Sequence, residues 1–171
     1  FDKLTSVFCR QSRGGWVSLL DEGPHPETGR LTPYWGAEAP KGNPNGAATY
    51  GFGFADRIDP APAGVDFTVT LLKPAELSIQ PVTNFNERRT KGFYSAKNAG
   101  KPRKFQLRQG TQTLRLVWTE FSLPQKTAEQ VNGVKFTGLG PGNRMFFDRI
   151  DLRFGDPASA HTYRSVSQQR L

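Results

Sequence analysis

The chain has 171 residues, enough for one domain that buries about 70% of the surface its unfolded form exposes, and a second domain is not expected. Apolar residues make up 36%, and 18 Gly and 13 Pro cut the sequence into short segments, which excludes a long helical period and predicts an all-β fold. The formal charge is +8, and no apolar run approaches the roughly 18 residues of a membrane-crossing helix.

Residues 1–20 hold two apolar stretches, Leu4 to Phe8 and Trp16 to Leu20, on either side of Ser12-Arg13-Gly14-Gly15, a strand, turn and strand. From Asp21 to Asn45 come Pro24, Pro26, Pro33, Pro40 and Pro44, too dense for a central ladder, so a long loop is expected there. Ala47 to Phe54 places Tyr50, Phe52 and Phe54 on one face of a half-buried strand. Val65 to Leu71 and Glu76 to Val82, joined by a Lys73-Pro74 turn, read as an antiparallel pair. Residues 86–104 read mostly as loop, with a short strand around Phe93 and Tyr94.

Phe105 to Leu107 and Thr111 to Trp118 follow as strands across Gln109-Gly110, and Thr127 to Gln130 suits one helical turn. Val134 to Thr137 and Met145 to Phe154 are the last strands of the domain, which spans residues 1–156. Strict alternation in the final strand puts Asp148 on the inward face with Phe146, Ile150, Leu152 and Phe154. Residues 157–171 are polar and read as a tail or a linker to a further segment.

The charge is clustered. Between Glu87 and Arg108 stand Arg88, Arg89, Lys91, Lys97, Lys101, Arg103, Lys104 and Arg108, eight cations against a single acid. Such a patch raises the local concentration of anionic partners without specifying their chemistry. Cys9 is the only cysteine, so no internal disulfide forms, and the count alone does not fix a compartment. The start at Phe1 is compatible with a processed, exported chain.

Several elements carry a resemblance to a known group. They are Phe1-Asp2 followed by Gly15-Trp16 and Asp21, the small-and-aromatic run from Ala47 to Phe54, Leu116-Val117-Trp118-Thr119-Glu120-Phe121, and Val134-Lys135-Phe136 leading to Phe146-Phe147-Asp148-Arg149-Ile150-Asp151-Leu152. In order and type they resemble bacterial secreted modules of the galactose-binding-domain-like jelly-roll superfamily, which includes carbohydrate-binding modules and the complex I intermediate-associated protein 30 type of domain. The closing strand departs from the group's pattern, because Arg149 stands where a second Asp is usual. The resemblance implies a two-sheet antiparallel β-sandwich of jelly-roll topology that binds polysaccharide, is secreted or periplasmic, and adjoins a catalytic domain.

Candidate ligand-binding residues are Tyr34 and Trp35, neighbouring aromatics in the Pro-rich segment, and Tyr94 among Arg88, Arg89 and Lys91. Aromatic faces suit the apolar side of sugar rings, and guanidinium groups suit carboxylate or sulfate, so an anionic glycan is expected. The competing readings are a loop plug on the end of the sandwich for Tyr34-Trp35, and a solvated loop for the basic segment. The same mixture of cations and aromatics suits single-stranded nucleic acid, a less expected partner.

An inward Asp148 needs a partner. A structural calcium ion held with Asp2 or Asp21 is one candidate, implied by related modules, and an ion pair or backbone amides are the alternative. Enzyme signatures are sparse: His25 and His161 are the only histidines, and Gly51-x-Gly53 lacks a following helix. Three functions therefore remain. They are a non-catalytic polysaccharide-binding module, a uronate polysaccharide lyase using Tyr94 with Arg88 and Lys91, and an assembly domain that binds protein.

Overall fold

The computed structural model describes residues 6–12, 15–18, 21–36, 50–54, 60–85, 96–154 and 162–165. Along the chain run β1 (Ser6–Ser12), β2 (Gly15–Ser18), β3 (Asp21–Pro24), β4 (Leu31–Gly36), β5 (Tyr50–Phe54), β6 (Gly64–Leu71), β7 (Ala75–Thr83), β8 (Lys97–Asn98), β9 (Arg103–Leu107) and β10 (Gly110–Val117). A single 3-10 turn at Trp118–Phe121 and the short helix α1 (Gln125–Ala128) precede β11 (Val131–Thr137), β12 (Arg144–Phe154) and β13 (Thr162–Ser165). One antiparallel sheet has the order β2-β1-β5-β11-β7-β8, with β9 also on β7. The other has the order β10-β6-β12-β4-β3, with β13 also on β12.

The fold is a β-sandwich, as the composition and strand pattern predict. Its core forms where the apolar rows of the two sheets meet: Val65, Phe67, Val69 and Leu71 of β6 and Met145 and Phe147 of β12 face Leu77 and Ile79 of β7 and Val134 and Phe136 of β11. Phe67 stands edge-on to Phe136 at 5.4 Å and to Phe147 at 6.0 Å, bridging the sheets. Trp118 closes one end, and its indole N–H donates to the Pro62 carbonyl at 2.9 Å. Burial of such aromatic side chains stabilises the sandwich by about 2 kcal/mol each.

Four expectations need correction. Firstly, β6 and β7 do not pair with each other: β6 pairs with β10 and β12, and β7 with β9 and β11. Their apolar faces oppose each other across the core, so the chain must change sheets between them, and it does so again between β9 and β10, where Gly110 has φ +93°. Secondly, part of the Pro-rich segment forms the hairpin of β3 and β4 rather than a loop. Proline is tolerated there because β3 is an edge strand and β4 pairs with β12 only from Tyr34 onward, leaving Pro33 beside β3 alone.

Thirdly, Thr162–Ser165 of the expected tail adds to β12 as β13. Fourthly, β12 does not alternate throughout. Phe147 pairs with Val69 and Arg149 with Thr68, so Asp148 is the extra residue of a β-bulge. Met145 and Phe147 point into the core before the bulge and Ile150 and Leu152 after it, while Asp148 and Arg149 are exposed on the outer face.

Two predictions follow from this packing. A Cβ at Gly64 would lie 2.0 Å from the Leu116 carbonyl oxygen of the adjoining strand, a contact that backbone alone makes. Gly64→Ala is therefore expected to lower urea-unfolding stability by about 2–3 kcal/mol or more. Lys135 on β11 is partly buried, and desolvation lowers its pKa. The unfolded chain then binds more protons at alkaline pH, so stability rises as pH climbs through the lowered value toward the ordinary lysine value. Lys135→Gln should abolish that rise in denaturation curves recorded at successive alkaline pH values.

Candidate functional site

The outer face of the second sheet carries most of the described polar constellations. Strand register lines up Asp21 of β3, Tyr34 of β4, Phe146 of β12, Thr70 of β6 and Thr111 of β10 in one row. The next rows of β6 bring Thr68 beside Thr113, and Asp66 between Arg115 and Asp151.

The tip of the β3-β4 hairpin crosses this face along the first row. Within the tip, the Gly29 amide donates to the His25 carbonyl and the His25 amide to the Arg30 carbonyl, each at 2.8 Å. His25 itself is buried under the tip. Its Nδ1 accepts the backbone N–H groups of Glu27 at 3.1 Å and Thr28 at 3.3 Å. Nδ1 therefore carries no proton, and the Nε2–H donates to Asp148 Oδ1 at 2.9 Å, with Thr70 Oγ1 also 3.0 Å away.

Thr70 donates to Asp148 Oδ2 at 2.7 Å and meets Thr111 at 2.8 Å, and the Thr111 hydroxyl donates to Glu27 Oε2 at 3.0 Å. A continuous polar chain thus runs from Glu27 to His25 through two threonines and Asp148. Phe146 packs edge-on against the His25 ring, with centroids 5.6 Å apart. With Nδ1 taken by amides and Nε2 protonated, His25 presents no free lone pair to Thr70. The group is built to hold the hairpin down, not to activate a nucleophile.

Beside the clamp, Tyr34 is half-buried and its ring fits between Gly23 and Gly36. Cβ atoms at these two glycines would lie 2.9 and 3.1 Å from the ring. The Arg144 guanidinium lies over Tyr34, 4.5 Å from the centroid, and Phe146 packs beside the ring at 5.4 Å. Further along β12 is a network of opposite charges. Arg115 places Nε and one terminal nitrogen on Asp66 at 3.2–3.3 Å, and Arg153 lies 3.6 Å from the same carboxylate. Arg149 Nε reaches Asp151 at 2.7 Å.

The residues singled out from sequence fall in several places. Tyr34 is on the outer face, on a strand and not in a loop. Trp35, its neighbour, points the other way into the core, is 1% exposed and packs 6.3 Å from Phe136, so it has no face to offer a ligand. Arg88, Arg89, Lys91, Tyr94 and Asp2 lie outside the described residues, and Asp21 is placed only by its backbone register with Tyr34.

Of the described part of the basic segment, Lys97, Arg103 and Lys104 stand on β8 and β9 of the other sheet, and Arg108, in the β9–β10 connection, donates to the Thr111 carbonyl at 3.3 Å. Arg103 pairs with Glu120 at 3.1 Å and packs on Phe105 and Phe121, and Lys104 pairs with Glu76 at 2.9 Å. The hydrogen bond and charge of Lys104 lower the Glu76 pKa. Tyr34 and these cations do not form one constellation.

Asp148 takes the ion-pair alternative, with exposure rather than apolar burial at its back. A calcium ion would need 6–8 oxygen ligands, whereas the described neighbours of Asp148 offer a ring N–H and a hydroxyl hydrogen. Among the described residues no three of His, Cys, Asp or Glu gather around a common point, and Asp2 and the side chain of Asp21, the other expected ligands, lie outside those residues.

Sequence reasoning passed over His25, Thr70, Thr111, Glu27 and Arg144. Alternation of Asp66, Thr68 and Thr70 with the apolar residues of β6 was the available signal for an outer polar stripe. Compared with family models, curated proteins and solved structures, the chain matches none.

The clamp makes a direct prediction. His25→Ala and Asp148→Ala should each destabilise the fold, and their effects should be non-additive by about 1–2 kcal/mol in a double-mutant cycle. Hydrogen exchange at the Glu27 and Thr28 amides should accelerate in His25→Ala, because their acceptor is lost.

Proposed function

We propose that the domain is a non-catalytic polysaccharide-binding module of the jelly-roll type, exported from the cell and joined to a catalytic domain, with an acidic glycan as its ligand. The observation that carries this reading is the half-buried Tyr34 on the outer face of the second sheet with the Arg144 guanidinium 4.5 Å from its centroid. An aromatic ring with adjacent cationic and hydroxyl groups matches a sugar, which has an apolar ring face and a polar perimeter. Among the described residues Arg144 makes no side-chain hydrogen bond, so its N–H groups remain for a ligand. The jelly-roll form is supported by the two sheet-changing connections, β6 to β7 and β9 to β10, which set β6 beside β10 in one sheet and β7 beside β9 in the other.

A binding role is favoured over catalysis by the protonation of the clamp. The one described histidine is held in a tautomer that has no free lone pair, and the Glu27 and Asp148 carboxylates are taken up by Thr111, Thr70 and His25. Affinity electrophoresis against neutral and anionic polysaccharides tests the reading. The folded domain should be retarded by at least one polysaccharide, and Tyr34→Ala should weaken retention about tenfold. Unchanged mobility with every polysaccharide would refute it.

A further inference from the structure

The charged network on the same face has a feature that its internal pairing does not use. Arg149 stands at the bulge, its side chain 61% exposed, anchored through Nε to Asp151, which is itself nearly buried. Among the described residues its Nη1 and Nη2 meet no hydrogen-bond acceptor. A guanidinium fixed at Nε and open at both terminal nitrogens is a ready donor pair. In the same row, Thr68 and Thr113 add hydroxyl groups, and Arg115, 54% exposed, approaches Asp66 from the other side of β6.

The three guanidinium groups of Arg115, Arg149 and Arg153 meet three carboxylates, those of Asp66, Asp151 and the neighbouring Asp148, so recognition of an anion here rests on the terminal N–H groups of Arg149. The adjacent Asp148 carboxylate has one oxygen on His25 and the other on Thr70, within the clamp. The bulge is what makes the position possible, because an unbulged strand would place residues 148 and 149 on opposite faces.

From this geometry we infer that Arg149, with Thr68 and Thr113 beside it, is a subsite for the carboxylate of a uronic-acid unit. The inference rests on the polysaccharide-binding reading and specifies the acidic group that it would recognise. A planar carboxylate matches a guanidinium fork through two parallel N–H···O bonds, a geometry that an ammonium group does not reproduce.

The test compares wild type, Arg149→Lys and Arg149→Gln by affinity electrophoresis in pectate, fully methyl-esterified pectin, dextran sulfate and neutral dextran, with thermal melts to confirm folding. Arg149→Lys keeps a positive charge beside Asp151, and Arg149→Gln removes it. Wild type should be retarded more by pectate than by its ester, and Arg149→Lys should lose about tenfold of that preference while holding the ester as wild type does.

Equal retention of pectate by wild type and both variants would overturn the subsite, as would equal retention of pectate and its ester by wild type. A preference for dextran sulfate over pectate that survives Arg149→Lys would assign the anion to sulfate at another place and also overturn it. Retention by neutral glycans alone would remove the carboxylate subsite and leave the binding reading standing. No retention by any polysaccharide would remove both.

Discussion

The outer face of the second sheet depends on one extra residue in β12. A strand buries alternate residues, and a regular β12 that buried Phe147 would also have to bury Arg149. The bulge at Asp148 avoids this: Phe147 ends one inward row, Ile150 begins the next, and Asp148 and Arg149 both remain on the outer face. The apolar face thereby stays continuous over an eleven-residue strand. The carboxylate that would have needed a partner in the core is instead the anchor for the β3-β4 hairpin.

The hairpin and the bulge are consequently a single device. Hairpin tips are held to a sheet only if they bring groups that the sheet can satisfy, and this tip brings His25 with a fixed tautomer and Glu27 with an acceptor oxygen. β6 and β10 answer with Thr70 and Thr111, and β12 with Asp148. The His25 Nε2–H and the hydroxyl hydrogens of Thr70 and Thr111 each end on a carboxylate oxygen, and charge-assisted bonds of this kind rigidify a part-buried network. Tyr34 stands on β4 of the same hairpin, paired with Phe146 of β12 and under the Arg144 guanidinium.

Much of the fold was legible from the sequence. Period-two patterns in Val65 to Leu71, Thr111 to Trp118 and Val134 to Thr137 locate strands close to where the structure has them, because buried apolar residues alternate along each: Val65 to Leu71, Leu114 and Leu116, Val134 and Phe136. Pairing was not legible from adjacency. A Lys73-Pro74 turn between two apolar strands looks the same whether it closes a hairpin or carries the chain to the opposite sheet, and the distinction rests on distant partners. Proline density misled at Pro24 and Pro33, since an edge strand does not need the missing N–H. Strict alternation puts Asp148 on the inward face, and a bulge, which adds one residue without a composition signal, turns it outward. Of the candidate ligand residues, Tyr34 and Trp35 looked equivalent as neighbours, and alternation on β4 sends one outward and the other into the core.

The proposed glycan-binding face is the outer side of β4, β12 and β6. Amide chemical-shift mapping during titration with oligogalacturonate tests it most directly. Perturbations should concentrate at Tyr34, Thr68, Arg144 and Arg149, with the β7 and β9 strands of the other sheet unaffected. Shifts confined to that other sheet, or to residues 88–108, would contradict it.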